Sequence, residues 1–600
     1  MTFATQSRLN DAVALLQKGD AVGAAAVARS VLGANSGDIE ARHLLALALS
    51  ALGETGEAAA AFEAVAAVHP RKDVILVNLG NHWRRAGRLD AAVDAYERAV
   101  GAAPESAQAL AALGAARASQ GQQGQAADAF TAALTRNPRQ VTALIGLGNL
   151  QAAKGRHASA AEFFTRAIDV EPQSAAALVN RGASLRQLGR LDEALADHDR
   201  ALSLAPSLAE AAFQRAATLR LCGRFDVAAA GYRSALALAP ARTDIHREYA
   251  GLMFETARAS EAFGVLDAVI ARQPSATLLT TRGELSLLAG DRGAAAASAR
   301  RALALDPEHA AAFGLAAKAA RLAASMEEAL TLARRSVDLA PDDFDLLHLC
   351  CEIELATGEF THAAARLGRD APGRHLQKHI ALKAIALRAA GDPGYRRYYD
   401  YDRLTAQIAI DPPDGFSTIE DFNATLFAAI APLHRSSQRP LDQTLFGGTQ
   451  SPGRLWNDPN PIIQLFAKTM LASARAFIAS LPDDPTHPFL GRKRADVECA
   501  GAWSVMLASG GGHVDHIHPA GWISASYYVE TPPEILGGGT GGYLRLGASG
   551  VAGLPLPAER YFAPRPGTVV FFPSYIWHGV EPFNAASARV AAPFDLKPAE

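Results

Sequence analysis

Apolar and small residues recur along the first 370 residues with the spacing of amphipathic helices, two helices to each repeating unit. Leu76 and Gly80 share one helical face, Gly87 interrupts the helix, and Tyr96 lies on the second helix. Glycine tolerates a positive φ at a turn and proline cannot continue a helix, so residues that recur at one spacing predict stacked helix pairs. The 34-residue period appears at Pro70, Pro104, Pro138, Pro172, Pro206, Pro240 and Pro274, and at Gly19, Gly53, Gly87, Gly121, Gly155, Gly189 and Gly223.

Three further positions of the unit explain how its helices can pack closely. Glycine or alanine on facing helices allows close approach, and an aromatic residue fills the groove between units. The glycines are Gly80, Gly114, Gly148 and Gly182, the alanines Ala92, Ala126, Ala160 and Ala194, and the aromatics Phe62, Tyr96, Phe130, Phe164 and Tyr232. Later units depart from the pattern, because Ala257 and Ala324 replace the turn glycine. That departure marks either a packing surface for the following domain or sequence drift.

The length and pattern of this unit resemble the tetratricopeptide repeat, over residues 5 to 370 and about eleven units. The resemblance implies an all-α superhelix with a concave groove that binds a protein or peptide. An array that only spaces or oligomerises the rest of the chain is the alternative.

After about residue 390 the helical period gives way to short apolar runs separated by glycine-rich or proline-rich turns. This pattern predicts many short strands, arranged as a jelly roll or double-stranded barrel, with one helix near residues 461–481. The predicted strands are 501–507, 523–529, 543–546, 568–572 and 590–595. The fold class is therefore an α+β multidomain protein: an all-α repeat array followed by a C-terminal β-helix (jelly-roll) domain.

Composition excludes several classes of protein. With 58 basic and 61 acidic residues the formal net charge is −3, so no basic field favours nucleic acid or an anionic membrane. The four cysteines form no C-x-x-C pair, which indicates small buried residues in a reducing compartment. No apolar run of about 18 residues is present, and the first helix lacks the features of a signal peptide, so we expect a cytoplasmic protein without membrane spans.

Histidines concentrate in two stretches of the predicted β region. GGGHVDHIHPAGW contains His513, Asp515, His516 and His518, and FFPSYIWHGVEPF contains His578. In an extended strand, His516 and His518 point to the same face and can reach one ion. A third ligand at a later strand end leaves coordination positions open, as suits non-haem Fe(II) or, less often, Zn, Mn or Ni. A structural zinc site would need four ligands, and no cysteine is near in sequence.

Residues 435–597 resemble the 2-oxoglutarate–Fe(II) oxygenases that follow tetratricopeptide arrays in bacterial proteins. The matching stretches are RPLDQTLFGGTQ, AWSVMLASGGGHVDHIHPAGWISASYYV, RPGTVVFFPSYIWHGVEPF and ARVAAPFDL. The resemblance implies a double-stranded β-helix whose His-x-Asp pair and distal histidine hold iron. It also implies that Arg589, eleven residues after His578, binds the distal carboxylate of 2-oxoglutarate.

The sequence departs from that family in the first ligand pair. The position of His516 and His518 in the family's pattern favours them as the first pair of metal ligands, although they form an H-x-H sequence. His578 is then the third metal ligand. The rival pair is His513 and Asp515, which would restore a carboxylate; otherwise Asp515 could orient an imidazole. Tyr527 or Tyr528 could donate a hydroxyl to the cosubstrate, Tyr528 being the candidate cofactor-binding residue, though core packing suits either. The tryptophans Trp503, Trp522 and Trp577 are assigned to the core or pocket wall.

The combined resemblance implies a protein of three parts: a repeat solenoid at 1–385, a linker and start of the C-terminal domain at 386–434, and the oxygenase-like domain at 435–600. It implies a dioxygenase that uses Fe(II), 2-oxoglutarate and O2 to hydroxylate a protein or peptide presented by the array. A non-enzymatic scaffold with a degenerate β domain, and an oxygenase acting on a small metabolite, are the alternatives. No nucleic-acid or membrane partner is expected, and the sequence does not fix the oligomeric state.

Overall fold

The computed structural model describes residues 3–434, 444–451, 453 and 455–599. The chain divides into two compact units, Met1–Thr256 and Ala257–Glu600. The first unit is all-helical. The second begins with further repeat helices and ends in an antiparallel sheet. The predicted fold class, an all-α repeat array followed by a barrel-like β domain, is confirmed.

Fifteen helices make up the described part of the first unit, each about four turns or fewer. The turn glycines end the first helix of each pair in the left-handed conformation, as Gly53 does at φ 81°. The helices are α1 (Phe3–Gln17), α2 (Ala21–Ala34), α3 (Ile39–Leu52), α4 (Thr55–Ala66), α5 (Lys72–Arg85), α6 (Leu89–Ala102), α7 (Ala107–Ser119), α8 (Gln123–Arg136), α9 (Val141–Ala153), α10 (His157–Val170), α11 (Ala175–Gln187), α12 (Leu191–Leu204), α13 (Ala209–Leu221), α14 (Phe225–Leu238) and α15 (Thr243–Glu255).

The small and aromatic positions of the repeat meet as the sequence predicts. A Cβ on Gly80 would lie 2.4 Å from the ring of Tyr96, and one on Gly148 would lie 2.5 Å from the ring of Phe164. Only glycine therefore allows the aromatic side chain to lie against the facing helix. At the same position of the next unit the chain has His198, packed against Gly182 at 2.5 Å by the same measure. The array thus places an imidazole in a slot that other units fill with a phenyl or phenol ring.

In the second unit, nine helices precede or accompany the start of the sheet, and the last repeats join the β domain through direct contacts. Arg388 donates to the carbonyls of Gly547 and Pro557, at 2.6 and 2.9 Å, and the Tyr395 hydroxyl donates to Glu559 at 2.9 Å. The helices are α16 (Ala259–Arg272), α17 (Ala276–Leu288), α18 (Arg292–Leu305), α19 (Ala310–Leu322), α20 (Met326–Leu339), α21 (Phe344–Ala356), α22 (Phe360–Arg366), α23 (Leu376–Ala389) and α24 (Tyr401–Leu404). Helices α1 to α22 match the predicted count of about eleven helix pairs.

Two turns of the array, at Ala257 and Ala324, hold an alanine in a backbone conformation suited to glycine. Ala324, between α19 and α20, has φ 62°, a conformation that costs an L-residue about 1–2 kcal/mol. Ala324→Gly is expected to stabilise the protein by about 0.5–1 kcal/mol, because relief of strain exceeds the extra backbone entropy of glycine. Denaturant titration of the full chain measures the change.

The matched control is the equivalent turn one unit earlier, where Gly290 has φ 80° and open space around its Cα. Gly290→Ala is expected to destabilise by about 1 kcal/mol through the same left-handed strain. Equal stability for wild type and Ala324→Gly, with Gly290→Ala also neutral, would contradict the strain argument.

The β domain is one ten-stranded antiparallel sheet folded into a barrel-like shape. Its strand order is β1-β8-β5-β10-β4-β9-β6-β7, with β2 added on β4 and β3 on β10. The strands are β1 (Ala406–Ala409), β2 (Leu445–Gln450), β3 (Val497–Ala502), β4 (Val505–His516), β5 (Ile523–Glu530), β6 (Leu544–Leu546), β7 (Arg560–Phe562), β8 (Thr568–Pro573), β9 (His578–Val580) and β10 (Arg589–Pro598).

Two helices cover the outer face of the sheet. These are α25 (Ile419–Ile430) and α26 (Pro461–Ser480), while the short α27 (Pro533–Leu536) follows β5. Phe477 of α26 stacks on Phe571 of β8 with ring centroids 5.0 Å apart. By length and composition alone, α26 is the one helix of the described residues long and apolar enough to cross a membrane. Its packing on the sheet is that of a core helix, so this is weak evidence for a span.

Each predicted strand overlaps an observed one, and the structure differs from the prediction in two respects. The run 501–507 is not a single strand: β3 ends at Ala502 and β4 begins at Val505. β4 also ends at His516, so His518 lies beyond the strand rather than in it. The segment expected to be a linker, 386–434, holds the end of α23, then α24, β1 and α25. The three-part division of the chain stays a prediction, and its boundary at 435 lies outside the described residues, as do residues 439–443 of the first matching stretch.

Candidate metal centre

The centre forms where the end of β4 pairs with the start of β9. His516 lies directly opposite His578 in the antiparallel register, and the chain after β4 brings His518 to the same point. The ring centroids are 4.3 Å apart for His516 and His578, 4.8 Å for His518 and His578, and 5.1 Å for His516 and His518. One ring nitrogen from each lies within 4.8 Å of the others, the one such group found among the described His, Cys, Asp and Glu residues.

The outer nitrogen of every imidazole in this triad already has an acceptor. Nδ1 of His516 lies 2.8 Å from the Val514 carbonyl, and Nδ1 of His578 lies 3.0 Å from that of Ile576. Nδ1 of His518 lies 2.6 Å from Oδ1 of Asp595. A carbonyl or carboxylate can only accept, so each Nδ1 bears a proton and each neutral ring turns the lone pair of Nε2 inward.

These inward lone pairs face one another at short range. Nε2 of His516 and Nε2 of His518 are 3.1 Å apart, a distance that suits two acceptors only with a cation or proton between them. Burial lowers the pKa of His516 to about 4 and holds the pKa of His578 well below its ordinary value, with neighbouring imidazoles adding to both effects. Both rings are thus neutral at pH 7, which is the form that binds a metal.

The rival ligand pair is not assembled in the same way. Both oxygens of Asp515 accept from Arg545, at 2.9 and 2.8 Å, and Arg545 also pairs with Glu581 at 2.8 Å. The carboxylate therefore contacts a guanidinium and no triad imidazole. His513 lines the same cavity as the triad, with its ring stacked 5.7 Å from that of His516. Burial lowers the pKa of His513 to about 3.

A cavity of about 270 Å³ adjoins the triad, and Arg589 lies in its wall. Arg589 is 2% exposed, and burial lowers its pKa. Its guanidinium lies 5.1 Å from the ring centroid of Tyr528, and its Nε has no hydrogen-bond partner among the described residues. Nor does any carboxylate of the described residues line the cavity. Among the described residues this buried cation has no counter-ion, and such a group is costly unless an anion binds to it.

The two predicted tyrosines of β5 point in opposite directions, and neither lines the cavity. Tyr528 lies beneath Arg589, which does line it, whereas the hydroxyl of Tyr527 points the other way and donates to Asn423 of α25 at 2.6 Å. Trp503 lines the cavity with its ring 5.3 Å from that of His518. Trp522 is fully buried and donates to the Phe489 carbonyl, as a core residue does.

The donor set fits the metal and cosubstrate that the sequence resemblance implies. Three neutral imidazoles without a carboxylate or thiolate suit a first-row divalent ion such as Fe(II) and leave coordination positions open. The unpaired guanidinium of Arg589 suits a carboxylate, which it can bind through two parallel hydrogen bonds. His516, His518 and His578 could therefore hold the ion, and Arg589 could bind an acidic cosubstrate.

Asp595 is the functional candidate that sequence reasoning missed. It lies on β10, the strand that also carries Arg589, and its carboxylate contacts His518 and the hydroxyl of Ser524. The signal was available in principle, because it is the one acidic side chain in the otherwise apolar run of a buried strand. Sequence alone could not tell which histidine it would meet.

Comparison with known families agrees with both parts of this fold. The family described as "Putative 2OG-Fe(II) oxygenase" matches residues 501–595. Tetratricopeptide repeat families match residues 43–107, 111–171, 175–208 and 281–344. The comparison with curated proteins gives no match.

Several solved structures are similar to part of the chain. A tetratricopeptide repeat protein of Thermus thermophilus has 27% identity and a TM-score of 0.27, over 30% of this chain and 99% of that one. One from Parabacteroides merdae has 21% identity and a TM-score of 0.32, over 41% and 97%. Yeast Tom70 has 13% identity and a TM-score of 0.38, over 66% and 96%. The family matches thus identify tetratricopeptide repeats within residues 43–344 and, over residues 501–595, similarity to the family described as "Putative 2OG-Fe(II) oxygenase".

Proposed function

We propose that the β domain is an Fe(II)- and 2-oxoglutarate-dependent dioxygenase that hydroxylates a protein or peptide. The observation that supports this most directly is the convergence of three Nε2 lone pairs, from His516, His518 and His578, beside the buried Arg589, whose Nε has no partner among the described residues. The ligand assignment favours this triad over His513 and Asp515, because the Asp515 carboxylate is engaged by Arg545.

In this proposal the residues of the site have two roles: some bind the metal and the cosubstrate, and others exclude water. The triad would hold Fe(II), its ring orientations fixed by the three Nδ1 hydrogen bonds. Arg589 would bind the distal carboxylate of 2-oxoglutarate and orient the cosubstrate. Val505, Leu544 and Phe572 contribute apolar wall to the cavity, which would favour exclusion of water once the cosubstrate is bound. When bound, Fe(II) and 2-oxoglutarate reduce O2, releasing succinate and CO2 and adding one oxygen atom to a substrate C–H bond.

The repeat array supports a protein or peptide as the substrate, since tetratricopeptide repeats generally bind such partners. In this proposal the array captures the partner and the β domain oxidises one of its side chains, in the cytoplasm. A small metabolite would instead be oxidised without any need for the array. Mass spectrometry of proteins trapped on the iron-free enzyme, followed by turnover, separates the two: a +16 Da product supports the protein substrate.

The metal site is tested by anaerobic titration of Fe(II) and 2-oxoglutarate. The wild-type protein is expected to develop a weak visible charge-transfer band, and His578→Ala to abolish it, because two imidazoles no longer complete the site. His513→Ala, in the same cavity wall, is the matched control and should retain the band. No band in the wild type, or a band that survives His578→Ala, would contradict the proposed function and favour a non-enzymatic scaffold.

A further inference from the structure

Among the described residues that line the proposed site there is no carboxylate to bind the ion directly, and this affects the balance of charge. Fe(II) and Arg589 together contribute three positive charges, and 2-oxoglutarate contributes two negative ones. An imidazole that binds a metal through Nε2 is neutral and no described cavity-lining residue is acidic, so one positive charge remains without a partner among the described residues that line the cavity. In a buried site such an unbalanced charge is costly.

A carboxylate lies directly behind one of the ligands. Oδ1 of Asp595 is 2.6 Å from Nδ1 of His518, on the side of the ring away from the inward-facing Nε2. Asp595 is 7% exposed, so solvent screens its charge little.

A short chain of hydroxyls fixes this carboxylate in place. Ser524 Oγ lies 2.7 Å from Asp595 Oδ1 and 2.9 Å from Ser574 Oγ. Since a carboxylate only accepts, Ser524 donates to Asp595 and accepts from Ser574. The register of β5 and β10 places Ser524 opposite Asp595, so the arrangement follows from strand pairing.

We propose that Asp595 is a positioning residue that acts through His518 to supply the missing negative charge of the metal site. This inference rests on the proposed function, because it assumes that the triad binds a divalent ion. The hydrogen bond fixes the ring of His518 and makes its Nε2 more basic, so that the His518–Asp595 pair replaces a directly coordinated carboxylate.

A second carboxylate near the triad provides a comparison. Asp515 lies on β4 next to His516 but pairs with Arg545 and contacts none of the Nδ1 atoms. Replacing Asp515 with asparagine therefore removes one negative charge near the triad but leaves the hydrogen bond between His518 and Asp595 intact.

The test measures Co(II) affinity of the full-length protein by calorimetry, with the visible Co(II) spectrum as a second readout. Asp595→Asn keeps the size of the side chain and is expected to weaken Co(II) binding about 10- to 100-fold. Asp595→Glu, which retains the charge, should recover part of the affinity. Asp515→Asn is the matched control and should stay within about threefold of wild type.

Affinity of the Co(II)-loaded protein for 2-oxoglutarate distinguishes a charge role from distortion. Asp595→Asn leaves the loaded site one unit more positive, so the dianion should bind as tightly as in wild type or more tightly. A distorted site would weaken both ligands, and that result would overturn the inference. If Asp595→Asn does not fold, judged by circular dichroism of the metal-free protein, Ser524→Ala replaces it, with an expected loss of Co(II) affinity in the same direction.

The two proposals fail in different ways. A wild-type protein that binds no Co(II) overturns the metal site itself and this inference with it. A wild type that binds Co(II), with Asp595→Asn indistinguishable from Asp515→Asn, overturns the role of Asp595 and leaves the proposed function standing.

Discussion

Replacing Arg589 with methionine is expected to weaken 2-oxoglutarate binding about a hundredfold and, at the same time, to make the ligand-free protein more stable. The two effects have opposite sign because Arg589 is a buried cation without an ion pair among the described residues. In the free protein its charge is desolvated without compensation, and a methionine of similar length removes that cost, by about 1–4 kcal/mol.

With the cosubstrate bound, the same charge has a partner. Truncating one member of a buried, hydrogen-bonded charge pair costs about 2–5 kcal/mol. The expected hundredfold loss of affinity corresponds to about 2.7 kcal/mol, which lies within this range. Binding of the metal should not weaken, because Arg589 donates no hydrogen bond to a triad nitrogen in the described structure and its replacement removes one positive charge from the cavity.

Thermal unfolding of the free protein and calorimetry of 2-oxoglutarate on the Co(II)-loaded protein measure the two effects. Arg545→Met is the matched control, since that guanidinium pairs with both Asp515 and Glu581. Its removal leaves two carboxylates unpaired and should destabilise the protein without a large effect on cosubstrate affinity. A destabilised Arg589→Met protein with unchanged 2-oxoglutarate binding would show that the arginine has a structural role instead.

The helical array is predictable from sequence because its determinants are local and repeated. Turn glycines, helix-ending prolines and the contact between Gly80 and Tyr96 lie within one 34-residue unit, so the same evidence is seen many times. The period does not reveal that the last repeats fold in one compact unit with the sheet. Those contacts, such as Arg388 with Gly547, join positions 159 residues apart and have no local pattern.

The candidate site was predictable in its residue types and less so in its geometry. Three histidines within six residues point to a metal, but the choice among them depends on where β4 ends and on which side chains are already engaged. Asp515 pairs with Arg545, thirty residues later, in a contact between strands, and this contact is the reason why the proposal favours His516 and His518 over the rival pair. Asp595 meets His518 across 77 residues, again through sheet register rather than sequence spacing.

Replacing His198 with phenylalanine is expected to stabilise the array, and by an amount that grows as the pH falls. His198 of α12 is fully buried, and neither ring nitrogen has a hydrogen-bond partner among the described residues. Each unsatisfied buried polar group costs about 1–3 kcal/mol, a cost that the phenyl ring found at Phe164 in the preceding unit avoids. At pH 7 the gain should therefore be about 1–3 kcal/mol.

The pH dependence follows from the pKa of the imidazole. Burial lowers the pKa of His198 to about 4, below the value of about 6.5 expected in the unfolded chain. Between these values the unfolded state binds a proton that the folded state does not, so wild-type stability is complete above pH 6.5 and falls as the pH drops toward 4. The loss from this one group is roughly 3 kcal/mol over the window, and His198→Phe should remove it.

Urea titrations of wild type and His198→Phe at several pH values between 7 and 4 test both parts. The reciprocal variant Phe164→His places an imidazole in the equivalent slot against Gly148 and should lose stability with a steeper fall at low pH. Because the two variants exchange the same side chains between neighbouring units, general effects of acid on the array cancel in the comparison. Parallel pH profiles for wild type and His198→Phe would mean that His198 takes up its proton in the folded state and finds a partner there.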